Sequence, residues 1–186
     1  MKKLFALGLF LQLIAQISFS IHSETVDLLE PIDFIHWTLL IGIVLIIPYT
    51  LHFSTGLSYQ IGVTVSLMGI VAQIGVCAID FVLWTFRYEN EERNDLVRHL
   101  MEEPMIWPIF FTAGPALLII GLTIQAFGYY QQNLKGVMLA TIGSALLGFG
   151  NFILPGNRLV FVSGYLIFIL GLLLIIFYEK SSVQGT

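Results

Sequence analysis

LSYQIGVTVSLMGIVAQIGVCAIDFVLWTF, residues 57–86, is the stretch that decides the class of this protein. It is longer than the ~20 residues that a helix needs to cross a ~30 Å hydrocarbon layer. Its one charged residue is Asp80, and beyond Phe86 the sequence turns abruptly polar. The stretch therefore predicts a transmembrane helix that keeps a carboxylate within its apolar length.

Comparable apolar runs recur along the whole chain. Hydrophobic residues make up 57% of the sequence and charged residues 11%, whereas a soluble domain has roughly 25% charged residues. The solvent for this much apolar surface has to be lipid. We expect an all-α, polytopic integral membrane helix bundle. It forms a single transmembrane domain over 1–186, with six helices at approximately 4–21, 34–53, 57–86, 105–130, 136–155 and 159–178.

The first apolar segment has two interpretations. Lys2 and Lys3 precede it, and residues 18–20 could serve as a signal-peptide cleavage site. The segment is longer than a typical signal core, and Gln12 and Gln16 share one helical face, as in a packed helix. We therefore expect the segment to be retained; cleavage would leave five transmembrane helices.

The lysines near the N-terminus favour a cytoplasmic start. Six helices then place both termini in the cytoplasm, and the composition is typical of small proteins of the bacterial cytoplasmic membrane. Lys and Arg are equally frequent on the two predicted sides, so the positive-inside rule supports this orientation only weakly.

The polar loop over residues 88–104 falls on the external side in this orientation. Leu96, Val97, Leu100 and Met101 recur at helical spacing, which predicts a short amphipathic external helix lying on the membrane surface. The alternative is a solvated linker that extends the preceding helix.

Polar residues follow one stripe of the 57–86 helix. They are seven residues apart, and residues at this spacing lie nearly above one another on a helix. A polar stripe in a membrane helix faces protein or water, so we expect it to face the bundle interior. The stripe, called here the heptad seam, comprises Tyr59, Ser66, Gln73, Asp80 and Arg87.

Asp80 is the deepest charge of the heptad seam. A charge at the bilayer centre costs at least ~2.5–3.5 kcal/mol on insertion scales, so Asp80 has to be protonated, paired or hydrated. Its candidate partners are Arg87, His36 and external water. Residues at similar depth predict an outer-leaflet polar pocket, while the alternative is that they only fix helix packing. The ligand-binding candidates are Asp80, His36, Arg87, Gln73, Trp84, Thr112, Asn151 and Ser163.

Small residues mark close helix packing in the second half of the chain. Ala140, Ser144 and Gly148 form a small-xxx-small ladder, which serves packing within the bundle or a homo-oligomer interface. Pro48 and Pro108 lie within predicted helices, as does Pro115, and we expect kinks there. The expected partners are the lipid bilayer and a second copy of the chain through this ladder. Without a basic patch, nucleic acid is not expected.

The sequence predicts no catalytic residues, no metal ligands and no cofactor. The histidines form no HExxH pattern, and His36 and His52 share one helix, so they cannot ligate one haem iron. One alternative is a surface metal site formed by the external histidines His22, His36 and His99 with Asp80 or Glu103.

Three classes of function fit these features. The leading hypothesis is a non-enzymatic membrane protein that binds a small amphiphilic ligand or a partner in the outer-leaflet pocket around Asp80. The first alternative is a proton- or cation-coupled small transporter that uses Asp80. The second is an intramembrane enzyme that acts on lipid, with His36 as base and Asp80 as its orienting partner.

Overall fold

The computed structural model describes residues 1–21, 33–52, 56–154 and 157–182. For residues 21, 150–152 and 179–182 it describes the backbone alone. Within these ranges the chain forms helices and no strand, which confirms the expected all-α class. The helices are α1 (Lys2–Ile21), α2 (Phe34–Thr50), α3 (Leu57–Thr85), α4 (Asn90–Glu102), α5 (Gly114–Phe127), α6 (Leu134–Ile153) and α7 (Arg158–Ser182).

Four stretches of helix in the described residues are long and apolar enough to cross a membrane, which supports the prediction of a membrane protein. They are Lys2–Ser20, Leu57–Thr85, Pro108–Phe127 and Arg158–Tyr178. Phe34–Thr50 and Leu134–Phe149 are apolar but shorter. Helix α2 thus stops at Thr50, before the predicted end at residue 53, and the fourth apolar run becomes helical near Pro108, after the predicted start at residue 105.

Three antiparallel helix pairs build the bundle: α1 with α2, α3 with α5, and α6 with α7. Glycines stand where each pair makes its closest approach. A Cβ added to Gly8 would meet the backbone of Gly42, one on Gly69 the backbone of Leu118, and one on Gly143 the backbone of Phe168. Because only a residue without a side chain fits there, these contacts fix the register of each pair.

A π-helical segment, Pro108–Ala113, precedes α5 and runs directly into it. Its i→i−5 pattern is visible in the backbone N–H of Gly114, which donates to the carbonyl of Ile109. Pro115 follows and has no N–H to donate to the preceding turn. Such π segments are rare and occur frequently at functional sites.

The end of the bundle that carries α4 is called here the α4 end. The carboxyl ends of α1, α3 and α6 and the amino ends of α2, α5 and α7 lie there, since neighbouring helices run antiparallel. Each of the three tryptophans, Trp37, Trp84 and Trp107, lies near one of these helix ends. The predicted polar residues Asp80 and His36 belong to the same end.

Candidate functional site

Three members of the heptad seam connect α3 to three different helices. Ser66 accepts a hydrogen bond from the amide of Gln125 on α5, at 2.9 Å. Gln73 donates its amide to Gln12 on α1, at 3.1 Å. Asp80 meets His36 on α2. The polar stripe of α3 therefore contacts α1, α2 and α5 at three successive levels.

Asp33, His36 and Asp80 form a compact cluster at the α4 end. The Nδ1 atom of His36 lies 2.6 Å from Oδ2 of Asp33 and 2.7 Å from Oδ2 of Asp80. One ligand-competent atom from each of the three residues lies within 4.8 Å of the other two. Of the partners expected for Asp80, the structure provides His36.

The start of α2 positions two members of this cluster. Asp33 is the N-cap of the helix, and its Oδ1 accepts the backbone N–H of His36 at 3.1 Å. Its Oδ2 is thereby directed to the imidazole, three residues further along. Burial raises the pKa of Asp33, but hydrogen bonds with His36 and Asp80 outweigh this and hold that pKa below its ordinary value of 3.8.

Aromatic rings and a thiol surround the cluster. Phe19 of α1 places its ring edge against His36, with ring centroids 5.1 Å apart. Trp37 packs against Phe81 at 4.9 Å, next in sequence to His36 and Asp80. Cys77 is fully buried one turn before Asp80. The cluster thus has an apolar surrounding that limits water.

A buried amide network lies deeper along the seam. Gln12 is fully buried; its amide donates to the carbonyl of Leu39 at 2.9 Å. Its Oε1 accepts from Gln73 at 3.1 Å and from the hydroxyl of Tyr165 at 3.5 Å. Gln73 is 5% exposed, and its own Oε1 has no hydrogen-bond partner among the described residues.

A cavity of about 690 Å³ lies beside this network, a size that accommodates a small organic ligand. It is located in the half of the bundle nearer the α4 end. Polar side chains contribute part of the wall, and apolar side chains from the π segment and from α5 to α7 contribute the rest. The lining residues are Gln16, Gln73, Phe111, Thr112, Pro115, Ala116, Leu118, Ile119, Ile120, Ser144, Leu147, Gly148, Phe161 and Tyr165.

The cavity opens sideways between α5 and α6. Thr112, Ala116 and Ile120 recur every four residues on one face of the helix, and all three are exposed. Across from them Gly148 is also exposed, and a Cβ added there would meet nothing within 4 Å. The opening therefore faces the side of the bundle, where a membrane would place lipid.

Four of the predicted pocket residues lie in one of these two places. His36 and Asp80 belong to the cluster, and Gln73 and Thr112 line the cavity. Asn151 is in α6, but its side chain lies outside the described residues.

The other predicted pocket residues lie elsewhere. Arg87 does not reach Asp80: its guanidinium lies 5.4 Å from the ring centre of Trp84 and 4.6 Å from that of Tyr88. Ser163 is exposed and donates to the carbonyls of Leu159 and Val160 in its own helix.

Of the groups predicted for a surface metal site, His36 and Asp80 lie together, whereas the others do not join them. His99 and Glu103 are exposed at and beyond the end of α4, and neither belongs to the cluster that the described residues form. His22 lies outside the described residues. In the small-residue ladder, Ala140 is fully buried and packs on Gly171 of α7, while Ser144 and Gly148 line the cavity.

The predicted pocket residues did not include four polar residues that belong to the cluster, the amide network or the cavity wall. Asp33 could have been found as an N-cap acid three residues before His36. Gln12 and Gln16 shared one face of α1, but nothing in sequence connected that face to Gln73. Tyr165 lay in a long apolar run without a signal that marked it.

Comparison with known protein families, curated proteins and solved structures found no match for this chain. The contacts within the molecule are therefore the basis for assigning a function.

Proposed function

We propose that the protein is a six-span membrane protein that binds a small amphiphile in its lateral cavity. The two shorter apolar helices, α2 and α6, each pack along a longer one, α1 and α7, and complete the bundle. Helix α4 has no buried residue and carries acidic residues in its first turn, which suits the outer membrane surface. Both termini then lie in the cytoplasm, with the α4 end outside.

One observation carries the binding proposal: Gln73 lines a cavity of about 690 Å³, and its buried Oε1 has no hydrogen-bond partner within the described part of the chain. An unpaired buried acceptor costs about 1–3 kcal/mol. A ligand that donates a hydrogen bond to this oxygen offsets that cost. The wall beyond Gln73 is mainly apolar, so the rest of the ligand is expected to be hydrocarbon.

The lateral opening indicates how such a ligand enters. Thr112, Ala116 and Ile120 present their exposed face to the bilayer, so a molecule dissolved in lipid reaches the cavity without crossing water. A hydroxyl or amine head with a short acyl or alkyl tail meets both requirements. We therefore expect an uncharged or cationic amphiphile with a hydrogen-bond donor, such as a monoacylglycerol.

A fluorescence quenching experiment tests the proposal. Trp107 stacks on Phe111, a wall residue, at 4.2 Å, so a brominated ligand in the cavity lies close to this indole. Replacing Trp37 and Trp84 by Phe leaves Trp107 as the reporter. In lipid nanodiscs, a brominated 1-monoacylglycerol is expected to quench it saturably.

Two substitutions on α6 supply the matched comparison. Gly148→Leu fills the cavity mouth and is expected to weaken saturable quenching at least tenfold. Ala145→Leu adds the same side chain at an exposed position outside the lining and should leave it unchanged. Linear quenching that is identical in all variants would show only partitioning into lipid and would refute the cavity as the binding site.

Enzymatic action on lipid is the second candidate, because His36 and Asp80 lie within hydrogen-bond distance as a base and its orienting partner require. In the described part of the chain, no hydroxyl or thiol is hydrogen-bonded to His36. Proton- or cation-coupled transport through Asp80 is a third candidate. Towards the opposite end, however, Gln125 is engaged with Ser66 and does not extend the cavity.

A further inference from the structure

We propose that Asp33, His36 and Asp80 are a binding site for a divalent transition-metal ion of the Zn²⁺ class. The site is separate from the lateral cavity, whose lining includes none of the three residues. A nitrogen and two carboxylate oxygens, all within 4.8 Å of one another, approach a common point. This donor set is one that zinc accepts in proteins.

The cluster is arranged by the fold and is not a chance meeting of exposed acids. Oδ1 of Asp33 is occupied by the backbone N–H of His36, which leaves Oδ2 directed at the cluster. Asp80 arrives from a different helix, α3, whose position is fixed by the Gln73–Gln12 and Ser66–Gln125 contacts. Ligands held in place in this way bind a metal without a large ordering cost.

Two acceptors compete for one hydrogen in this cluster. The Nδ1 atom carries at most one hydrogen, yet one carboxylate oxygen lies 2.6 Å from it and a second lies 2.7 Å from it. A metal ion accepts an electron pair from all three atoms together. Ligands at about 2.0–2.2 Å from a tetrahedral ion lie about 3.3–3.6 Å apart, so the side chains have to move by less than ~1 Å.

Charge balance supports a divalent ion. Two carboxylates and a neutral imidazole carry a formal charge of minus two, which a divalent cation cancels. A neutral site is favoured here because His36 and Asp80 are mostly buried among apolar helices. The imidazole selects transition metals over Ca²⁺ and Mg²⁺, which prefer all-oxygen sites. Cys77 is close in sequence but is not one of the three convergent ligands.

Zinc binding by the purified full-length protein in detergent micelles tests the proposal. After chelator treatment, isothermal titration with Zn²⁺ is expected to show one site per chain, and neither Mg²⁺ nor Ca²⁺ should compete. Asp80→Asn and His36→Gln should each weaken binding at least thirtyfold, while Asp80→Glu retains most of it. Absence of a one-to-one site in the wild-type protein would overturn the assignment.

Two controls keep the result interpretable. Asp95→Asn removes an exposed carboxylate that pairs with Arg98 on α4, and it should leave zinc binding unchanged. The Co²⁺ form of the wild-type protein, which needs no variant to fold, should show d–d absorption without a thiolate charge-transfer band. Such a band would place Cys77 on the metal and refute the proposed ligand set, as would zinc binding that persists in both Asp80→Asn and His36→Gln.

Discussion

The carboxylate of Asp80 lies 2.7 Å from Nδ1 of His36, so the charge near the end of α3 is matched by a side chain of another helix. Arg87, seven residues further along the chain and just beyond the end of α3, instead rests on the rings of Trp84 and Tyr88. The pairing therefore connects α2 to α3. These two helices make fewer close contacts at glycines than the three helix pairs do.

Breaking this contact is expected to destabilise the bundle. The side chains of His36 and Asp80 are 13% and 22% exposed, so removing one leaves the other poorly solvated. We expect Asp80→Asn to lower the free energy of unfolding by about 1–3 kcal/mol in detergent. In a double-mutant cycle with His36→Gln, the loss of stability in the double variant should be smaller than the sum of the two single losses. Additive losses would contradict direct pairing.

The matched control for the pair is on α4. Asp95 and Arg98 are 68% and 70% exposed, and their ion pair spans one helical turn. Asp95→Asn should therefore change the unfolding free energy by less than ~1 kcal/mol, as is usual for exposed pairs. A loss as large as that of Asp80→Asn would mean that the measurement reports general charge effects.

The buried amide of Gln12 leads to a second prediction. Gln12→Leu removes the partner of Gln73 and the donor to the carbonyl of Leu39, leaving buried polar groups unsatisfied. We expect a loss of about 1–3 kcal/mol, measured by denaturant unfolding of the micellar protein. Gln16→Leu, one turn away in the cavity wall, should cost less. Equal losses would contradict the network as the cause.

The apolar runs and the heptad seam could be predicted from the sequence because each is a property of the residues within a single helix. A spacing of seven identifies which residues share a face, and Ser66, Gln73 and Asp80 do contact other helices. The spacing contains no information about which neighbour faces each residue. The partners Gln125 and Gln12 therefore emerged only from the packing of the bundle, whereas His36 was one of the partners expected for Asp80 from its depth.

The predicted pocket illustrates the same limit. Residues at equal depth were grouped together, but depth does not fix the direction in which a side chain points around its helix. Ser163 consequently bonds to its own backbone, and Arg87 turns to its aromatic neighbours. The cavity arises where α5 and α6 separate beside the π segment, and no pattern in the sequence marked that gap.

Six spanning helices with α4 outside predict a defined labelling pattern. Cys77 is the one cysteine of the chain and is buried, so Cys77→Ala provides a background without thiols. In intact cells, an impermeant maleimide should label Asn94→Cys on α4. Gln131→Cys, between α5 and α6, should react only after permeabilisation. Labelling of both from one side would contradict a membrane crossing by α5, and the inverted pattern would reverse the orientation.

Two glycines of α6 provide the sharpest test of helix packing. A Cβ on Gly143 would meet the backbone of Phe168 on α7, whereas one on Gly148 meets nothing within 4 Å. Gly143→Ala should therefore force α6 and α7 apart and cost about 1–3 kcal/mol. Gly148→Ala gains the helix preference of alanine and should be neutral or stabilising by up to ~1 kcal/mol. Unfolding in detergent measures both, and equal stability of the two variants would contradict the close α6–α7 contact.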